Sequence, residues 1–116
     1  MLSSIEEITQ RVNLVINSFN RNEQIMRVGI FGSVARGTAT KRSDIDFILD
    51  YRFEHIDCVD DLILEVSDFS KFDLVLRETF KPTKLSIVTA DEIKDDFEFK
   101  ADVDRDVIWI YEKQKT

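Results

Sequence analysis

The sequence predicts an α+β fold: one domain over residues 1–116, in which a small mixed β-sheet is flanked by helices. Three observations predict it. The chain has 116 residues, close to the size of one compact domain, which leaves little room for a second. It is 43% hydrophobic and 34% charged, enough to bury a core. Short β-favouring apolar runs alternate with segments whose apolar residues recur at helical spacing.

The first element is a helix. Ser3 and Ser4 precede Glu6 and Glu7, each pair at the spacing of a capping box. Ile5, Ile8, Val12, Val15, Ile16 and Phe19 follow at helical spacing and define one buried face. The polar stretch from Asn20 to Gln24 ends it. Arg27 to Phe31 reads as a short strand, interrupted at Gly32 and Ser33, where a short helical piece starts. Thr38 to Ser43 is polar and loop-like, and Ile45 to Leu49 is a second strand.

Ile56, Val59, Leu62, Ile63 and Val66 fit a helix. The next stretch fits two periods. Phe69, Phe72, Leu76 and Phe80 suit a helix, whereas Phe72, Leu74 and Leu76 alternate as in a strand. Pro82, the single proline, marks a boundary. Leu85 to Thr89 is a third strand. Asp91 to Asp106 reads as one acidic helix with Ile93, Phe97 and Ala101 on one face, and Val107 to Tyr111 is a closing strand. Trp109 and Tyr111 fit either the core or an interface.

Bulk properties exclude several functions. No stretch of about 18 apolar residues is present, so no membrane span is expected. The N-terminus lacks the apolar core of a signal peptide, and the chain reads as cytoplasmic. Cys58 is the one cysteine and His55 the one histidine, which rules out an internal disulfide and a Cys/His zinc site. Both read as surface or loop residues near a helix start. The net charge of −7 argues against strong non-specific binding to nucleic acid, but permits a small site for one nucleotide.

All three glycines, Gly29, Gly32 and Gly37, fall between positions 29 and 37. Glycine serves where backbone turns tightly or approaches a ligand closely. A turn that leaves a strand and opens a helix presents free N–H groups suited to phosphate, and Ser33 adds a hydroxyl there. The bland alternative is an ordinary tight turn. Two other phosphate loops are excluded. Gly32 and Gly37 have P-loop spacing, but Thr38 stands where lysine is required. The spacing of Gly29 and Gly32 does not make a dinucleotide fingerprint.

Twelve residues after Gly32 comes Asp44-Ile45-Asp46. Carboxylates at i and i+2 of a strand project from the same face and can converge on one hard cation such as Mg2+. Alone, the pair also fits an acidic strand edge. Together with the turn it makes a metal–nucleotide site. The intervening stretch holds Arg36, Lys41 and Arg42 and no acid, a local positive patch suited to triphosphate.

Gly32-Ser33, ten residues, then Asp44-x-Asp46 resembles the signature of the DNA polymerase β-like nucleotidyltransferase superfamily. The wider run from Phe31 to Gly37, followed by Ser43-Asp44-Ile45-Asp46, resembles its minimal members, and Asp106 to Glu112 resembles how many of those end. The strong match covers positions 27 to 50. The resemblance implies the polymerase β-type nucleotidyltransferase fold. It implies that Gly32 and Ser33 hold the nucleotide phosphates, with Arg36 and Arg42 nearby. Asp44 and Asp46 would then bind two Mg2+ ions, while an acceptor hydroxyl attacks the α-phosphorus of a nucleoside triphosphate, ATP for preference.

The family uses a third carboxylate on a later strand, and here two placements stay open. Phe72-Asp73-Leu74-Val75 has the right letters and makes Asp73 the third catalytic residue. Leu85-Ser86-Ile87-Val88 has the better context and puts Ser86 at that position, which a neutral side chain cannot fill as an anionic ligand. Minimal members are commonly paired as antitoxins with HEPN-type toxins, so the resemblance implies a protein partner. Two functions follow. One is an enzyme that moves a nucleotidyl group, AMP by preference, onto an acceptor hydroxyl. The other is a catalytically weak or inactive antitoxin that neutralises its partner by binding. The eight acids between Asp91 and Asp106 read as a solvated face or as a surface for a basic partner.

Overall fold

The computed structural model describes residues 4–19, 22–52 and 57–113. Ser3, Asn20, His55 and Ile56, which figure in the sequence reading, lie outside the described residues. The chain forms α1 (Ile5–Ser18), a 3-10 turn (Asn22–Gln24), β1 (Ile25–Phe31), α2 (Gly32–Arg36) and β2 (Ile45–Tyr51). It continues with α3 (Val59–Phe80), β3 (Leu85–Thr89), α4 (Ala90–Ile93), α5 (Phe97–Asp106) and β4 (Ile108–Glu112). The strands make one mixed sheet in the order β3-β2-β1-β4. β1 is antiparallel to β2 and β4, and β2 is parallel to β3.

Alternation along the strands divides the interior into two cores. Ile45, Phe47, Leu49 and Tyr51 of β2 share one face with Val28 and Ile30 of β1. There they meet Ile8, Val12, Val15 and Ile16 of α1 and Phe72, Leu76 and Phe80 of α3. The opposite face buries Phe31 and Ile48 against Ile93 of α4 and Val103 of α5. The sheet is therefore sandwiched, with α1 and α3 on one side and α4 and α5 on the other.

The starts of α1, α4 and α5 follow from capping side chains. Ser4 accepts from the Glu7 N–H at 3.1 Å, as the capping-box spacing predicts. Phe19 leaves α1 in an extended conformation. Cys58 is exposed at the N-cap of α3, where its side chain makes no capping bond. Trp109 is half-buried and belongs to the core: its ring packs in the second cluster and takes the Arg27 guanidinium 3.9 Å from its centroid. Tyr111 packs, also half-buried, against the main cluster.

One open reading is resolved and one expectation is overturned. The stretch from Phe69 to Phe80 is helix, the second half of α3. Phe72, Leu76 and Phe80 are buried at four-residue spacing, while Leu74, which a strand would bury with them, is 59% exposed. The acidic stretch is two helices, because two caps restart the chain. Thr89 accepts from the Glu92 N–H at 3.1 Å, and Asp96 accepts from the Phe99 N–H at 3.2 Å. The restart shifts the helical phase. Ile93 and Val103 are buried, whereas Phe97 is 81% exposed and Ala101 is exposed. The expected face of Ile93, Phe97 and Ala101 does not form.

Candidate functional site

β1 runs extended to Phe31 and then turns sharply. Gly32 has φ +71°, in the left-handed region that glycine reaches without a steric penalty. Space requires glycine there as well, because a β-carbon on Gly32 would fall on Oδ2 of Asp46. The turn that opens α2 is therefore pressed directly against the second carboxylate of β2. α2 is one turn long. Gly37 caps it with φ +78° and ψ +17°, and its N–H and that of Thr38 return to carbonyls at Ser33 and Val34. Gly29 does something else. A side chain there would collide with Val107, Ile48 and Trp109, so this glycine serves the second core and not the turn.

The approach to β2 is held by a local clasp. Thr40 N–H donates to Ser43 Oγ at 2.8 Å, and Ser43 N–H donates to the Thr40 carbonyl at 3.1 Å. Asp44 emerges from this clasp exposed at the mouth of the sheet, and Asp46 sits half-buried one strand position inside. Burial pushes the Asp46 carboxyl above its ordinary range, repulsion from Asp44 adds to the shift, and the Arg36 guanidinium offsets part of it. These are the marks of two carboxylates converging with a cation beside them.

Arg36 is the predicted cation that reaches Asp46, and it is not free. Its Nη1 donates to Asp106 Oδ2 at 2.8 Å, tying α2 to the end of α5. Arg105 also donates to Asp106, and the two guanidiniums hold that carboxyl below its usual range. Sequence reading missed this role of Asp106: one acid among eight carries no local mark of a partner 70 positions away. Lys41 and Arg42 are exposed on the turn before Asp44.

The two candidates for the third carboxylate position, Asp73 and Ser86, lie in different parts of the fold. Asp46 lies between Phe31 of β1 and Ser86 of β3, each in direct register with it. Ser86 is half-buried beside the carboxylate on the same face of the sheet. Asp73 is on α3, not on a strand. It accepts from Arg77 Nε at 2.9 Å, and Arg77 Nη1 donates in turn to the Leu85 carbonyl at 2.9 Å. Its Phe-Asp-Leu-Val run lies within a helix, with Phe72 buried and Leu74 and Val75 exposed, and does not enter the sheet. Arg77 and Asp44 also line a cleft of about 350 Å³ with Lys81, Pro82 and Lys84, on the β3 side of the carboxylate pair.

Among the described residues no third Asp, Glu, His or Cys joins Asp44 and Asp46 in a cluster able to hold a metal ion. Two carboxylates nevertheless fit Mg2+ that arrives with a nucleotide, because this ion is usually held by one or two carboxylates, with substrate phosphates and water completing its shell. A cation there would also offset the repulsion that raises Asp46.

Comparisons with known proteins bear on the family and the fold. Residues 13–116 match the family described as polymerase beta, nucleotidyltransferase. No curated protein matches the sequence. A crystal structure of a toxin–antitoxin with AMP-PNP superposes with a TM-score of 0.53 at 15% identity, over 91% of this chain and 74% of that one. A candidate nucleotidyltransferase from Sulfolobus solfataricus superposes with a TM-score of 0.47 at 22% identity, over 94% of this chain and 81% of that one. At 15% identity the likeness to the toxin–antitoxin structure is one of fold. No helix among the described residues is long and apolar enough to cross a membrane.

Proposed function

The chain belongs to the polymerase beta nucleotidyltransferase family, and we propose that it binds Mg2+–ATP yet transfers AMP slowly or not at all, acting mainly by binding a protein partner. The observation that carries this reading is Ser86, in register with Asp46 where the family resemblance requires a carboxylate. A hydroxyl adds neither negative charge for a metal nor a base for an acceptor hydroxyl at neutral pH.

Each remaining residue has a role. Gly32 and Ser33 bring backbone N–H groups and a hydroxyl to the phosphates, and Gly32 lets them approach Asp46. Asp44 and Asp46 hold one Mg2+ ion, one fewer than the resemblance implies. Arg42 and Lys41, exposed on the neighbouring turn, meet the outer phosphates. Arg36 stays with Asp106 and contributes its charge from the side. When bound, the ion would neutralise phosphate charge and polarise the α-phosphate.

The partner we infer is a HEPN-type toxin in the cytoplasm. That rests on the resemblance of the Phe31–Gly37 and Ser43–Asp46 runs to minimal nucleotidyltransferases, and on the fold shared with a toxin–antitoxin structure that contains AMP-PNP. One observation favours an active transferase instead: Asp46 is present although burial and Asp44 both oppose its charge, a cost that a working metal site would explain.

The test has two arms. Titration with ATP should give Mg2+-dependent binding that Asp46→Asn removes; binding indifferent to Mg2+ would sink the site. Incubation with α-labelled ATP and the toxin should label the toxin weakly, and Ser86→Asp should raise the rate by about 10² or more, the usual contribution of a positioned base. Wild-type protein that labels as fast as Ser86→Asp would show that the serine is no handicap.

A further inference from the structure

Seven of the nine large hydrophobic residues exposed among the described residues lie on α3: Val59, Leu62, Ile63, Leu64, Val66, Leu74 and Val75. α3 is 22 residues long, about 33 Å, and outruns strands of five to seven residues. Its Phe72, Leu76 and Phe80 face the core, and a second stripe faces water. Val59, Ile63, Val66, Ser70 and Leu74 follow one another at intervals of three or four residues, and all are exposed. Isolated exposed apolar residues need no explanation, but a contiguous stripe of this length marks a contact surface.

We propose that this stripe is covered by the same stripe of a second copy, packed antiparallel about a two-fold axis beside Val66. Such an interface must be self-complementary, because each contact occurs twice. The stripe meets that demand. With the axis passing between the levels of Val66 and Ser67, Ile63 lies level with Ser70 of the second copy, a large side chain against a small one, and Val59 lies level with Leu74. The charges match as well. Asp60 and Lys71 sit on the same flank of α3, and the antiparallel arrangement brings each Asp60 beside the other copy's Lys71. Both are exposed and, among the described residues, neither has an ion-pair partner within its own chain. The two helices would then pair as in an antiparallel coiled coil. The net charge of −7 on each copy opposes association at long range, and salt screens that repulsion, so the dimer holds or tightens with moderate salt.

The inference does not depend on nucleotide binding, since no residue of the stripe belongs to the site. Sedimentation equilibrium of the full chain at micromolar to hundred-micromolar concentration should give twice the chain mass. Val66→Asp should give the monomer with an unchanged circular dichroism spectrum. Asp60→Lys and Lys71→Asp should each weaken the dimer by roughly tenfold, and the double variant should recover it, because like charges placed face to face repel and the swap restores attraction. Wild-type protein that stays monomeric overturns the proposal and leaves the stripe to a different protein. A dimer indifferent to Val66→Asp overturns it too, as does a double variant that fails to recover.

Discussion

Asp46 shows how one residue of the proposed site weighs on the fold. Its carboxyl is held above the ordinary range by burial and by Asp44, so the folded chain grips that proton more tightly than the unfolded chain does. Ionisation therefore costs stability. The cost is fully present above the folded pKa, declines as pH falls through it, and vanishes below the unfolded value near 3.9. Asp46→Asn should stabilise the fold in metal-free buffer at neutral pH, read as a higher Tm, by under about 1 kcal/mol because water screens a half-exposed carboxylate. The gain should fade toward pH 4, and thermal melts at several pH values with a chelator present would check both parts. At this scale the sequence was legible in part. Gly32 lies against Asp46 and Asp44 is close enough to repel it, because short-range strand and turn geometry governs these positions. The pairing of Arg36 with Asp106 was not legible, since it depends on where α5 ends in space.

At the scale of the element, α3 is the informative case. Phe72, Leu74 and Leu76 fit a strand, and Phe69, Phe72, Leu76 and Phe80 fit a helix; nothing local chooses between them. The sheet chooses. Its α1 face has room for one helical stripe, and Phe72 fills it with no exposed surface and its ring edge-on to Phe19 at 5.4 Å. Phe72→Ala should therefore destabilise by about 3–5 kcal/mol, the usual cost of emptying a buried phenylalanine site. A chemical denaturation curve with unchanged slope and a lower midpoint would register it. The same choice took Asp73 out of the sheet and left it to Arg77, so a residue with the right neighbours in sequence has the wrong ones in space.

On the whole molecule, charge is unevenly placed. Of the eight acids between Asp91 and Asp106, most are engaged: Asp91 with Lys94, Asp104 with Lys100, Asp102 and Asp106 with Arg105, Asp96 as a helix cap and Glu92 with Thr89. Asp95 and Glu98 are exposed and outside these pairs. A basic partner that docks on this side would meet those two first. Reversing Asp95 and Glu98 to lysine should weaken such a complex most at low salt, whereas reversing Asp96 would also remove the α5 cap and confuse the result. Unchanged affinity for the partner at low ionic strength would show that the acidic side is only a solvated face.

The sequence by itself determined the family, the mixed α+β architecture and the turn at Gly32, because each rests on spacing along a few neighbouring residues. Only the tertiary structure decided that β3 brings Ser86 and not Asp73 beside Asp46, that Gly29 serves the core, and that the acidic stretch breaks into two helices. Those outcomes depend on which strand lies beside which, and on how much space remains between sheet and helix. Both are set by long-range burial, which no local pattern encodes.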